Sequence, residues 1–157
     1  MHLQNTLLGL ITLCISAYTA ATPTELDQYL IQKQITDSNH VIKNADALNE
    51  ILDVISDEDS RTMPYQIDQN TIIEDMRVFA DHTDFTGLIT SSDFTQFAAD
   101  IGQKEVKKLI HQNMLQNCNQ FFEHEFQKRN PYYVQLTLTS DKQTYISKLK
   151  NTECQFK

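Results

Sequence analysis

The sequence predicts an α+β fold: N-terminal helices, then a small antiparallel sheet packed on a central helix, with one disulfide joining the helix end to a C-terminal hairpin. Three observations carry this. Phe94, Phe97, Ala98 and Ile101, and after them Val106, Leu109, Ile110 and Met114, recur at helical spacing on the way to Cys118. Tyr132, Val134, Leu136 and Leu138 alternate with Tyr133, Gln135, Thr137 and Thr139, the two-residue period of a half-buried strand. Cys118 and Cys154 are then the two cysteines left once the first 21 residues are set aside.

Those 21 residues read as a signal peptide. Leu7, Leu8, Leu10, Ile11, Leu13 and Ile15 form an apolar run too short to span a bilayer, and Thr19, Ala20 and Ala21 supply the small residues for cleavage after Ala21. The leading residues 1–5 hold His2 and no Lys or Arg, so an uncleaved membrane anchor is the main rival. Cys14 follows Leu13, where a lipidation signal needs a small residue; it is read as an apolar residue of the signal. Residues 22–157 are expected to form one α+β domain, with a helical part over 22–60 and a sheet-plus-helix core over 61–157, not stably inserted in a membrane once the signal is removed. An even cysteine count in an oxidising compartment points to a Cys118–Cys154 disulfide. Closing that loop is worth about 3 to 4 kcal/mol.

Removing the signal removes no Lys, Arg, Asp or Glu, so the net charge of −8 stays on the mature chain. That charge repels phosphate backbones and anionic lipid, which excludes nucleic acid as a natural partner. A basic protein is the more natural one if the acidic residues cluster.

Along the chain, Leu26, Tyr29, Leu30 and Ile31 predict a short helix over 24–34, with Thr24 as N-cap and Asp27 in capping-box position. Leu48, Ile51, Leu52 and Ile55 predict a second, capped by Asn44 or Asp46 and ending in the acidic run 56–60, read as a solvated loop. That run lacks the central Gly of a calcium loop. Met63-Pro64-Tyr65-Gln66-Ile67-Asp68 begins extended because Pro64 biases its predecessor away from helix. Thr71-Ile72-Ile73 and Met76-Arg77-Val78-Phe79 are β-prone but interrupted by Glu74 and Asp75; Asp81-His82-Thr83 reads as a turn into a strand over 83–90. Ser92 is the expected N-cap of the central helix, which Gly102 bends or divides. Phe121, Phe122 and Phe126 predict a further short helix, and residues 144–150 the return strand of the hairpin.

The order of these elements resembles a family of small, largely uncharacterised exported proteins of Gram-negative bacteria, some labelled quorum-sensing-regulated virulence factors. Met63-Pro64-Tyr65-Gln66-Ile67-Asp68 with Thr71, the strand over 85–90, the helix to Cys118 and the hairpin to Cys154 carry the likeness over residues 63–154. The second strand reads Phe85-Thr86-Gly87, where the pattern has two aromatics flanking one residue. The resemblance implies a periplasmic or secreted α+β domain with an internal disulfide, and transfers no catalytic residues.

Candidate chemistry is sparse. His82 lies between Asp81 and Asp84 and reads as part of a solvated turn. His111 and Cys118 are two helical turns apart, too far for one metal. Glu123-His124-Glu125 lacks the second His of a zinc-protease helix and reads as a solvated face. Lys104, Lys107 and Lys108 form a small basic cluster. No nucleophile elbow or cofactor loop is present, so no catalytic, cofactor-binding or metal residue is expected. The expectation is a non-catalytic exported protein, periplasmic or secreted, that binds an unknown protein partner in a virulence or envelope setting. The alternatives are a periplasmic immunity protein against a delivered toxin, and a carrier of a small apolar ligand in a pocket lined by Phe94, Phe97, Tyr133 and Leu136.

Overall fold

A computed structural model describes residues 23–156; the signal-peptide reading and Cys14 lie outside the described residues. Six α-helices and five strands follow in the order α1 (Glu25–Gln32), α2 (Ala45–Ser60), β1 (Tyr65–Asp68), β2 (Thr71–Val78), β3 (His82–Ile89), α3 (Phe94–Ile101), α4 (Gln103–Gln116), α5 (Cys118–Phe121), α6 (Glu125–Arg129), β4 (Tyr133–Thr139) and β5 (Thr144–Lys150). The strands form one sheet in sequential order, β1-β2-β3-β4-β5.

The sheet is mixed rather than wholly antiparallel. The local hairpins β2–β3 and β4–β5 are antiparallel, but β3 and β4 pair in parallel, His82 opposite Tyr133 through Leu88 opposite Thr139. Four helices separate these two strands, and a crossover of that length returns the chain to the end of the sheet from which β3 started. The alternation read in the sequence settles the inner face: Val134, Leu136 and Leu138 of β4 and Tyr145, Ser147 and Leu149 of β5 are buried, their neighbours outward.

Glu74, the interruption in the β-prone run, is the extra residue of a bulge between Ile73 and Asp75. Gly87 lies opposite this bulge. A Cβ there would run into the Ile72 carbonyl and stand 3.1 Å from Ile73 Cδ1 and 3.2 Å from Leu138 Cδ2, so only glycine lets the strands approach this closely. Gly102, at φ +86°, separates α3 from α4, a backbone state that suits glycine.

The acidic run at 56–60 is not a loop but the last turn of α2. Ser56 is buried, its hydroxyl accepting from Val78 N at 2.9 Å, and Asn49 Oδ1 accepts from Ala80 N at 2.8 Å. The helix thus covers the edge of β2 beyond the reach of β1, the kind of edge that would otherwise pair with a foreign strand. Asn44, not Asp46, caps α2, its side chain accepting from Ala47 N. The expected Ser92 cap is absent: Asp93 precedes α3 without a side-chain cap bond.

Leu30, Leu48 and Leu52 of the N-terminal helices share one core with the sheet. Asp27 fixes this join. Buried and carrying its predicted capping box with Thr24, it accepts from Thr24 N (2.9 Å), Thr24 Oγ1 (2.8 Å) and Glu125 N (2.9 Å), so one carboxylate serves the N-termini of α1 and α6 together. Asn130 adds a second tie, accepting from Ile42 N and donating to the His40 carbonyl.

Candidate functional site

Beneath β5 and the start of β4 the inner face is sealed. Phe122 and Phe126 are fully buried and pack edge-on against Tyr132, with ring centroids 6.1 and 5.9 Å apart. The Tyr132 hydroxyl donates to the Phe79 carbonyl at 2.9 Å and lies 2.8 Å from Thr83 Oγ1; burial pushes the phenol up to about 12. Cys118 and Cys154 form the disulfide with Cα atoms 5.9 Å apart, fastening the start of α5 to the chain just past β5.

At the other end the same face is open. A cleft of about 580 Å³ lies between β1–β2 and the α4–α5 junction. Its floor is Ile73, Met76, Phe85, Leu136 and Leu138. Ile110 and Phe121 form the apolar part of the helical wall. Asn113, Asn117 and Gln120, one or two helical turns apart, put a row of amides along that wall, and Asn117 Nδ2 donates to the Asn113 carbonyl at 2.8 Å. The roof is β1, whose four residues are all exposed; Tyr65 and Ile67 are 62% and 53% accessible while lining the space below. Asp68, the charged residue of the lining, has its carboxylate turned to the backbone N of Asn70 at 2.7 Å. Volume and lining suit a small apolar molecule or apolar chain, with the amides able to bond a polar end.

Two local features border the cleft. Gly87 lets Ile73 and Leu138, two residues of the floor, close over a strand position that carries no side chain. Phe121 turns onto Phe85, edge-to-face at 5.7 Å, and so closes one end rather than filling the middle.

Of the four residues expected to line a pocket, Leu136 alone does so. Phe94 packs edge-on against Tyr145 at 5.6 Å, Phe97 is exposed, and Tyr133 faces the opposite side of the sheet. The difference lies in which helix walls the space. Phe94, Ala98 and Ile101 do pack on the core, Phe94 at Tyr145 of β5, whereas the cleft wall belongs to Ile110 and the amides that follow it. Two exposed apolar residues in a short strand, Tyr65 and Ile67, and a glycine inside a strand were the available signals.

His82, His111 and His124 are held in structural contacts, whereas the buried His40 Nδ1 has no hydrogen-bond partner. His82 is not in a solvated turn but begins β3, stacked between Phe79 and Tyr133 at 4.5 and 5.0 Å, with Nδ1 2.7 Å from Asp81 and Nε2 3.5 Å from Asp84. His111 bridges to Glu153 at 3.3 Å and lies 3.4 Å from the Ser147 hydroxyl. Residues 123–125 are only partly a solvated face: Glu123 is exposed, but His124 is half-buried, 2.9 Å from Thr24 Oγ1, and Glu125 pairs with Lys128 at 3.0 Å. Burial lowers the His124 pKa, against the pull of the Asp27 and Glu123 carboxylates. Lys104, Lys107 and Lys108 stand exposed on α4, Lys108 reaching Glu105 at 3.5 Å. Among the described residues, no group of three or more His, Cys, Asp or Glu is placed to hold a metal ion, and no helix is long and apolar enough to cross a membrane.

No protein-family model matches the chain, and no curated protein matches it. Among solved structures, a candidate secreted protein of Pseudomonas aeruginosa is similar at a TM-score of 0.44 and 11% sequence identity, covering 71% of this chain and 96% of that one.

Proposed function

We propose that this chain is an exported, non-catalytic binding protein, periplasmic or secreted, that holds an apolar ligand in the cleft beneath β1. The observation that carries the reading is the cleft itself: about 580 Å³ of apolar-lined space beside the sealed β4–β5 end of the core. Water in such a space is poorly bonded, and an apolar guest displaces it favourably. Export is supported by the signal-like pattern of residues 1–21 and by a disulfide, which persists in oxidising compartments. The non-catalytic reading is supported by His82, His111, His124 and the two cysteines of the domain being engaged in structural contacts.

Titration of the disulfide-intact protein with a neutral fluorescent naphthylamine tests the ligand reading. Saturable binding at one site, weakened about tenfold or more by Ile110→Asp on the cleft wall, is expected. Absence of saturation, or binding indifferent to Ile110→Asp, would sink it. Export is tested separately by the mass of the protein recovered from fractionated cells, which is expected to begin at Thr22; a full-length, membrane-bound product would refute cleavage.

A further inference from the structure

A second apolar depression lies between α1 and α2 and shares no lining residue with the cleft. It is an open groove of about 670 Å³ lined by Leu26, Tyr29, Ile51, Val54 and Ile55, with Glu25 and Glu50 on its rims. Tyr29 and Val54 are 43% and 64% accessible, a high exposure for side chains that core packing could have used.

The charge around this groove is one-sided. The sixteen residues of α2 carry Asp46, Glu50, Asp53, Asp57, Glu58 and Asp59 and no Lys or Arg. Three of these stand in the last turn, against the negative end of the helix dipole, where carboxylates are disfavoured. Arg77 answers Asp57 at 2.8 Å and reaches Asp53 at 3.8 Å, and Arg61 answers Glu58 at 2.8 Å. Among the described residues, no ion pair is formed by Glu25 or Glu50, which line the groove, or by Asp46, one helical turn before Glu50. Lys33 holds its ammonium over the Tyr29 ring, 5.5 Å from the centroid.

We infer that the α1–α2 groove is a docking surface for a cationic amphipathic helix of a partner protein. The apolar floor matches a stripe at i, i+3, i+4 and i+7, and the uncompensated rim matches Lys or Arg flanking that stripe. A second copy of this chain is disfavoured, because it would bring one acidic rim against another. An anionic membrane is disfavoured for the same reason.

The test uses a synthetic 18-residue helical peptide with Leu on one face, Lys on the other and a single Trp. Because the chain has no Trp, that residue reports binding without background. The peptide is expected to saturate one site on the whole disulfide-intact protein. Val54→Lys and the pair Asp46→Lys with Glu50→Lys are each expected to weaken it about tenfold or more, and Ile110→Asp in the cleft to leave it unchanged. All the altered groove positions are exposed, so these variants are expected to fold, which circular dichroism checks. Raising ionic strength from about 0.05 M to about 0.5 M is expected to weaken binding, since the Debye length falls severalfold. Equal binding of a peptide with Glu in place of Lys, indifference to Val54→Lys, loss with Ile110→Asp, or no saturable binding would each overturn the inference.

Discussion

The two ends of the sheet's inner face draw on the same residue types and are finished differently. Under β4 and β5, Val134, Tyr145 and Leu149 are sealed by α4 and by the Phe122–Phe126–Tyr132 cluster, and a disulfide closes the seam. Under β1 and β2, Met76 and Phe85 stay partly exposed to a cleft that the helices wall but do not fill. The difference is not one of hydrophobicity, since both ends are rich in Ile, Leu and Phe. It lies in how the helices cover the sheet: Phe122, Phe126 and Tyr132 fill the space at one end, whereas at the other Ile110 and Phe121 border a space that no side chain fills. Apolar surface left open stabilises the fold less than apolar surface sealed, so the β1 end gives up stability that a guest would restore.

If that contrast is right, damage to the sealed end should unfold the protein and damage to the open end should not. The largest expected effect is on the staple. Cys118→Ala with Cys154→Ala should lower unfolding free energy by about 3 to 4 kcal/mol in chemical denaturation, the entropy of the closed loop. A loss below about 1 kcal/mol would mean the seam holds without its covalent bond. Next, Asp27→Ala removes the acceptor of three donors and leaves Glu125 N unpartnered at the α1–α6 join, with an expected cost of about 2 to 3 kcal/mol. An effect confined to α1 fraying, seen as unchanged hydrogen exchange in α6, would contradict the shared cap. Tyr132→Phe deletes the hydroxyl that joins Phe79, Thr83 and Gln127 and should cost about 1 to 2 kcal/mol. The same phenol should ionise only near pH 12 in a spectroscopic titration, later than exposed tyrosines.

A smaller effect distinguishes the buried His124. Its folded pKa is lowered by burial, so the unfolded chain takes up the proton first as the solution is acidified. Stability should therefore be level above about pH 6.5 and decline as the pH drops from there towards the folded value. His124→Gln should flatten that decline; an unchanged slope would assign it to carboxylates elsewhere. The smallest expected effect is at the roof of the cleft, where Ile67→Ser should change stability by no more than about 0.5 kcal/mol while weakening ligand binding.

Much of this was legible in the sequence because it rests on local periodicity and short-range chemistry. The Thr24–Asp27 capping box, a bend or break at Gly102 and the alternation in β4 follow from spacing, and the cysteine pairing from an even count in an oxidising compartment. The parallel β3–β4 pairing did not, since it depends on where four helices deliver the chain. Nor did the helical end of α2: Asp57, Glu58 and Asp59 are poor C-terminal residues, held in helix by Arg77, Arg61 and the Ser56–Val78 bond, two of which come from strand β2. The cleft was half visible. An apolar space between sheet and helix was anticipated with Leu136 in it, but its other walls required knowing the phase of α4 and the register of β1 on β2.

Methyl NMR of the labelled, disulfide-intact protein, titrated with the neutral naphthylamine probe, tests the contrast most directly. The account predicts saturable shifts at Ile67, Ile73, Ile110, Met76 and Leu138, with Leu48, Val134 and Leu149 unmoved. Shifts spread over both ends, or none at the cleft methyls, would contradict it.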